Sequence, residues 1–79
     1  MSLKTRLGAA IRHERSVVSI SQGELARRSG LHRTYVSDLE RGTRNPSIEN
    51  IEKLAQALNV PVAKLFERTG HDHELGAGS

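Results

Sequence analysis

The segment 22–41, which reads QGELARRSGLHRTYVSDLER, constrains the fold of this chain more than any other part of the sequence. Its pattern predicts two short helices joined by a tight turn. Ala26 is placed where the helices would cross, and a larger side chain there would push them apart. Gly30 is placed where the first of these helices must end with a positive φ, which costs glycine nothing. Val36 fills the space between the helices. The other predicted buried residues of the segment are Leu25, Leu31 and Leu39.

This pattern is that of a helix-turn-helix, a motif that places its second helix in the major groove of DNA. Its spacing, small residues and apolar positions resemble those of the family of lambdoid phage repressors, Cro proteins and small bacterial regulators. We therefore expect an all-α fold, a compact five-helix bundle in which the second and third helices form the motif. Residues 1–68 are expected to form the DNA-binding domain, and residues 69–79 a disordered tail.

The composition sets bounds that agree with such a protein. A chain of 79 residues makes one domain with a small core, and such a domain often gains stability by dimerising. Cysteine is absent, which excludes a disulfide framework and a cysteine-based metal site. No apolar run has the length of a membrane span and no signal peptide is visible, so a cytoplasmic protein is expected. Tyr35 and Phe66 are the only aromatic residues, too few to stack single-stranded nucleic acid.

Charge is distributed unevenly along the chain. Residues 1–46 contain nine Lys or Arg and four Asp or Glu, which leaves a net charge of +5. Residues 47–79 contain three Lys or Arg and five Asp or Glu, which leaves −2. Because the basic half contains the predicted helix pair, the asymmetry favours a surface that faces phosphates.

Apolar periodicity and helix-capping residues predict five helices and no strands. Ser21 and Glu24 form an S-x-x-E capping box at the start of the second helix. Ser47 caps the fourth helix, and Asn59 is a plausible left-handed residue at its end. The predicted helices span residues 3–17, 21–29, 33–41, 48–58 and 61–67. Three apolar faces are expected: Leu3, Leu7, Ala10 and Ile11 on the first helix; Ile48, Ile51, Leu54, Ala55 and Leu58 on the fourth; and Val62, Leu65 and Phe66 on the fifth.

The N-terminal residues of the third helix are the candidates for reading bases, since that part of a recognition helix meets base edges in the groove. Arg33 is suited to bond O6 and N7 of a guanine together, and Thr34 offers a hydroxyl and a methyl group. Ser37 and Asp38 follow one turn later. Asp38 either accepts from a cytosine amine or orients Arg33 or Arg41. The alternative for this whole set is a solvated helix face.

Contacts to the DNA backbone are expected from the start of the second helix and from the loop after the third. Gln22 lies in the first turn of the second helix, where free N–H groups favour an anion, and the resembled family uses this glutamine to grip the backbone. Tyr35 either donates to a phosphate or packs at the edge of the core. Arg27 and Arg28 are expected on a solvated face. The remaining backbone candidates are Arg41, Thr43, Arg44 and Asn45.

A narrower resemblance rests on the run GLHRTYVS at residues 30–37, followed by ERG at 40–42 and RN at 44–45. It is similar to controller proteins of restriction-modification systems, which are small dimeric transcription factors with five helices. The resembled family implies a partly buried ion pair between Arg15 and Glu40. Three residues depart from its pattern: Ser19 replaces a usual glycine, Gly23 costs its helix roughly 1 kcal/mol against alanine, and Glu14 occupies a place that is often apolar.

The predicted partners are double-stranded DNA and a second copy of the chain. The apolar cluster near the fifth helix is the expected dimer interface, formed by Val60, Val62, Leu65 and Phe66. The alternative for Leu65 and Phe66 is burial in the core of the monomer, which makes Val62 the better candidate for the interface. No catalytic triad, phosphate-binding loop or metal-binding helix is visible, and His71 and His73 are read as solvated, so neither a cofactor, a metal ion, a small-molecule substrate nor an enzyme activity is expected. The second hypothesis is an antitoxin-like or phage-repressor-like protein whose main partner is another protein.

Overall fold

The computed structural model describes residues 2–66, and it is all-α in this part of the chain. The first four helices are α1 (Leu3–Val17), α2 (Gln22–Ser29), α3 (Arg33–Arg41) and α4 (Ile48–Leu58). Residues 62–66 are helical and form the described part of α5. The predicted fold class and helix order are confirmed. The predicted end of the fifth helix at Glu67 and the predicted tail at 69–79 lie outside the described residues.

Side-chain caps and left-handed stops explain why the helix ends agree so closely with the prediction. The Oγ atoms of Ser2, Ser21 and Ser47 each accept a hydrogen bond from the backbone N–H three residues later, at 3.3, 3.0 and 3.1 Å. Three helices end at a residue with positive φ: Gly30 at 75°, Gly42 at 76° and Asn59 at 59°. The boundaries are therefore set by local hydrogen bonding, which a sequence displays directly.

The core forms where α1 packs on α3 and where α2 packs on α3 and α4. The α1–α3 contact depends on Gly8. A Cβ atom at Gly8 would lie 2.1 Å from the carbonyl oxygen of Leu39 and 3.0 Å from that of Glu40, so the two backbones meet with no room for a side chain. Within residues 2–66, twelve apolar residues are buried: Leu7, Ala10, Ile11, Leu25, Ala26, Val36, Leu39, Ile51, Leu54, Ala55, Leu58 and Leu65.

Two residues predicted on apolar faces lie outside this core. Leu3 is 60% exposed and Ile48 is 70% exposed, so the prediction is wrong for both. Each is the first residue of its helix. Their spacing continues the apolar stripe to the start of the helix, but the neighbouring helices do not cover that first turn. Leu31, expected to be buried, is only partly buried against the core.

A partly buried ion pair ties three parts of the fold together. Arg15 Nε donates to Glu40 Oε2 at 2.7 Å and Arg15 Nη2 donates to Glu40 Oε1 at 2.9 Å, the two-pronged geometry that arginine and carboxylate share. Arg15 Nη1 also donates to the carbonyl oxygen of Ile20 at 3.0 Å. The side chain of Glu40 is 2% exposed and that of Arg15 is 18% exposed. The hydrogen bonds to Glu40 raise the pKa of Arg15, against the opposing effect of its partial burial. The predicted pair is present, and it joins α1, the turn after it and α3.

The turn between α1 and α2 passes through Ser19, which has a φ of 58° without being glycine. Its N–H donates to the carbonyl oxygen of Ser16 at 3.1 Å, and the N–H of Ile20 donates to that of Arg15 at 3.2 Å. These bonds close the end of α1 only if Ser19 is left-handed, so the serine accepts a strained backbone where glycine would have none.

Glu40→Gln is expected to lower the free energy of unfolding by about 3 kcal/mol, the lower end of the cost of breaking a buried pair, because the glutamine oxygen still accepts one bond from Arg15. Chemical denaturation measures the change. Glu52→Gln, which neutralises an exposed acid on α4, is the control and should leave stability nearly unchanged. Equal stability of the Glu40 variant and the unmutated protein would show that the pair is effectively solvated.

Ser19→Gly is expected to raise the free energy of unfolding by about 0.5–1 kcal/mol. The left-handed strain that serine bears is relieved, and the greater freedom of glycine in the unfolded chain offsets part of the gain. Ser16→Gly in the last turn of α1 should have the opposite sign, because glycine lowers helix propensity there. A loss of stability in the Ser19 variant would contradict the assignment of strain to this turn.

Candidate nucleic-acid interface

The predicted base-reading residues share one surface with the predicted backbone contact on α2. Arg33 and Thr34 are exposed in the first turn of α3, and Ser37 is partly buried one turn later. Together with Gln22 and Arg41 they line a shallow, open depression of about 250 Å³. The depression lies between the start of α2 and the outer face of α3, so the fold brings these five side chains onto one surface.

Gln22 is held in place from behind by the buried ion pair. Its Nε2 donates to Glu40 Oε1 at 2.9 Å, the same oxygen that accepts from Arg15. A primary amide has two N–H groups and a carbonyl oxygen, so this bond leaves one donor and one acceptor for a ligand. The ion pair therefore positions a residue of the candidate interface as well as the helices.

Asp38 contacts arginines, but not the arginine predicted to read bases. Its Oδ1 accepts from Arg41 Nη2 at 2.5 Å and its Oδ2 accepts from Arg44 Nη2 at 3.5 Å. Arg41 Nη1 donates in addition to Ser37 Oγ at 2.9 Å. The sequence left two roles open for Asp38, which were to accept from a cytosine amine or to orient Arg33 or Arg41. In the structure Asp38 contacts Arg41 and also Arg44, while Arg33 lies outside this network.

Tyr35 packs at the edge of the core and is also part of the surface network. Its hydroxyl oxygen accepts from Asn50 Nδ2 at 2.9 Å, and the guanidinium carbon of Arg44 lies 4.9 Å from its ring centroid. The Tyr35 O–H remains able to donate. Asn50 was missed by the sequence analysis, because a polar residue in the first turn of α4 shows no sign of a partner 15 positions away.

The loop after α3 is attached to the helix by one main-chain and one side-chain hydrogen bond. The N–H and Oγ1 of Thr43 donate to the carbonyl oxygen of Asp38 at 3.0 and 3.1 Å. Thr43, Arg44 and Asn45 are all exposed. The loop thus keeps its predicted polar side chains at the surface beside the C-terminal end of α3.

Arg27 and Arg28 both pair with Glu24, as a solvated face of α2 predicts. Arg27 Nη2 lies 2.5 Å and Arg28 Nε 2.7 Å from Glu24 Oε2. The hydrogen bonds from Arg27 and then Arg28 lower the pKa of Glu24 to about 2. The Ser21 hydroxyl caps the backbone as predicted, while the carboxylate of Glu24, expected to complete the capping box, is turned towards these arginines instead.

Of the four predicted dimer residues, Leu65 is corrected by the structure. It has no exposed surface in the chain, since it is fully buried in the core, and so its side chain has nothing to offer a second copy. The other three residues, Val60, Val62 and Phe66, are partly buried and pack against the core.

Residues 2–66 contain neither a membrane-spanning helix nor a clustered metal site. No helix there combines the length and apolar character needed to cross a bilayer. No group of three or more His, Cys, Asp or Glu side chains in that range is arranged to hold a metal ion. His71 and His73 lie outside the described residues.

A model of the helix-turn-helix family matches residues 18–65, which include α2, α3, the loop and α4. The chain belongs to this family. The match begins after Arg15, so the family pattern covers Glu40 and Gln22 of the buried network but not the arginine that completes it.

Individual relatives match most of the chain. Control protein C.SmaI of Serratia marcescens is 42% identical over 76 residues, covering 96% of this chain and 90% of that protein. Control protein C.BamHI of Bacillus amyloliquefaciens is 45% identical over 69 residues, covering 86% and 85%. The crystal structure of the restriction-modification controller protein C.AhdI from Aeromonas hydrophila has a TM-score of 0.77 and 44% identity, covering 78% of this chain and 94% of that one. The predicted resemblance to controller proteins is confirmed.

Proposed function

We propose that this chain is a sequence-specific DNA-binding transcription regulator that acts as a homodimer on a pseudo-palindromic operator, and that it controls a restriction-modification system. The observation that carries the proposal is the surface formed by Gln22 and the outer face of α3. The similarity to C.SmaI, C.BamHI and C.AhdI supports the assignment to a restriction-modification system. These relatives do not favour the antitoxin-like or phage-repressor-like alternative.

Base reading is assigned to the first two turns of α3. Arg33 is exposed, and no hydrogen bond or ion pair to another described residue holds its guanidinium. It is therefore free to bond a guanine through two donors, while Thr34 contacts a neighbouring base edge. Ser37 and Asp38 lie one turn further along and are weaker candidates for base contacts than Arg33 and Thr34. The Ser37 hydroxyl already accepts a hydrogen bond from Arg41. Both carboxylate oxygens of Asp38 already accept hydrogen bonds from arginines.

Backbone contacts are assigned to both ends of the same surface. Gln22 lies at one end, with a donor left over after its bond to Glu40. Arg41, Arg44 and Tyr35 lie at the other, and the exposed Thr43 and Asn45 extend that end along the loop. Contacts of this kind fix the register of the protein on the duplex without reading sequence. The +5 net charge of residues 1–46 supplies the attraction that such contacts need.

Dimerisation is assigned to the start of α5 and the residues before it. Val60, Val62 and Phe66 are partly buried, so they retain apolar surface that a second copy could cover. A two-fold dimer would place two copies of α3 about 34 Å apart, one turn of DNA, and would require a pseudo-palindromic site.

Replacing Arg33 or Arg44 by alanine distinguishes base contacts from backbone contacts. Arg33→Ala should lower discrimination at one base pair by about 1–3 kcal/mol. Arg44→Ala should weaken binding to all sequences alike and reduce the salt slope by about one unit per protomer. Binding to an operator and to its single-base variants is measured over a range of salt concentrations.

Lys53→Ala is the matched control for charge, since Lys53 is exposed on α4. It should change neither discrimination nor salt slope by a comparable amount. Exchanged roles, with Arg44 setting base preference and Arg33 only the salt slope, would refute the assignment of base and backbone contacts.

Val62→Glu should shift the protein towards monomer and weaken operator binding, because a charge would be buried between apolar surfaces. Sedimentation gives the oligomeric state, and circular dichroism should show unchanged helix content. Ala63→Glu places the same charge on an exposed neighbour and should leave the dimer intact. A monomer at micromolar concentration that binds a single half-site with full affinity would rule out the dimer in the unmutated protein.

The assignment to restriction-modification control is tested by the position of the operator. DNase footprinting on the region upstream of the gene for this chain should show one or two palindromic protected sites, and the neighbouring genes should encode an endonuclease and a methyltransferase. Protection at an unrelated promoter alone would leave a DNA-binding regulator but reject this assignment.

A further inference from the structure

One acidic side chain lies inside the basic surface described above, and the two arginines nearest to it are bonded to it. Asp38 is in the second half of α3 with its side chain 19% exposed. Its two carboxylate oxygens are divided between Arg41, at 2.5 Å, and Arg44, at 3.5 Å. We propose that Asp38 suppresses binding to DNA of arbitrary sequence by neutralising these two arginines, and so sets how strongly the protein discriminates its own site. This inference rests on the proposed function.

Asp38 differs from Glu40, the other acidic residue on α3, in the side of the helix that it faces. Glu40 faces inward and is neutralised by Arg15, so it contributes little to the potential over α3. Asp38 faces the same side as the arginines predicted to contact phosphate. Part of its negative charge therefore acts on any phosphate that approaches Arg41 or Arg44, and partial burial reduces the screening of that charge by salt.

Binding to DNA without sequence recognition depends mainly on charge. Such binding rests almost entirely on the exchange of counterions for Lys and Arg at phosphates, and each phosphate neutralised adds about 0.9 to the salt slope. A guanidinium that already faces a carboxylate contributes less to this exchange. Asp38 thus removes about one effective charge per protomer from the term on which arbitrary DNA depends.

The Asp38 carboxylate also assists binding when the phosphates lie at fixed positions. Arg41 is held from two sides, by Asp38 and by Ser37 Oγ, and Arg44 is held by Asp38 and by the ring of Tyr35. A guanidinium has five N–H donors, so both arginines keep donors for a phosphate. Their side chains are already ordered, which lowers the entropy cost of a contact that matches their position.

These two effects act differently on the two kinds of DNA. On arbitrary sequence the protein has no fixed register, so the ordering of Arg41 and Arg44 has no matching phosphate and only the charge reduction counts. On the operator, base contacts by Arg33 and Thr34 select one position along the DNA sequence. Arg41 and Arg44 then meet phosphates at fixed positions, and the ordering of their side chains offsets the charge reduction. Asp38 is therefore a positioning residue whose effect is seen in the ratio of the two affinities.

The test compares Asp38→Asn, which keeps the shape and removes the charge, with the unmutated protein. The probes are a duplex of scrambled sequence and a duplex enriched by the unmutated protein from a randomised library. The variant should bind the scrambled duplex roughly 3- to 10-fold more tightly per bound protomer at about 0.1 M salt, with a salt slope larger by about one unit per protomer. Its affinity for the enriched duplex should stay equal or fall, so the ratio should drop at least about threefold.

Three further variants isolate the cause. Asp38→Glu retains the charge and should keep weak binding to the scrambled duplex. Glu52→Gln removes one negative charge from an exposed position on α4 and should raise that binding much less than Asp38→Asn. In an Arg41→Gln background the effect of Asp38→Asn should shrink, and this comparison decides the matter if the single variant is poorly folded by circular dichroism.

Several results would overturn the inference. Unchanged binding to the scrambled duplex, or an equal rise in Glu52→Gln, would show that Asp38 has no specific role in restraining the arginines. A changed preference at one base pair without a change on the scrambled duplex would identify Asp38 as a base reader instead. If the unmutated protein enriches no sequence, the proposed function fails by itself, while the scrambled-duplex measurements still decide whether Asp38 restrains Arg41 and Arg44.

Discussion

The carboxylate of Glu40 is the point on which both the fold and the candidate interface depend. It accepts two hydrogen bonds from Arg15 on α1 and one from Gln22 at the start of α2, while belonging itself to α3. Almost no solvent reaches it, so these bonds must satisfy the charge that burial leaves without water. The same atoms therefore hold α3 against α1 and fix the position of Gln22 beside α3.

Close backbone packing between α1 and α3 helps to position this hydrogen-bond network. Gly8 allows α1 to approach the carbonyl oxygens of Leu39 and Glu40 within a distance that any side chain would prevent. Arg15 lies two turns after Gly8 on α1. The close approach at Gly8 and the ion pair with Glu40 therefore hold α3 at two points. Held at these two points, α3 presents Arg33 and Thr34 in a defined direction, as the proposed reading of bases requires.

The surface of α3 separates two electrostatic roles. Arg33 makes no ion pair with a described residue and extends into the depression, while Arg41 and Arg44 are bonded to Asp38. Aromatic support from Tyr35, and the bond from Asn50 to the Tyr35 hydroxyl, connect this cluster to α4. Arg33 thus differs from Arg41 and Arg44 in its neighbours and not in its residue type.

The sequence by itself determined where the helices begin and end, because serine caps and left-handed Gly30, Gly42 and Asn59 act through bonds only a few residues long. It also placed the candidate site on α3. The tertiary structure alone decided which periodic apolar residues are covered: Leu3 and Ile48 extend beyond their neighbours, and Leu65 turns into the core. It alone decided that Asp38 holds Arg41 and Arg44, and that Asn50 reaches Tyr35. Burial and side-chain pairing depend on how the helices pack together in space, and no local pattern in the chain records that packing.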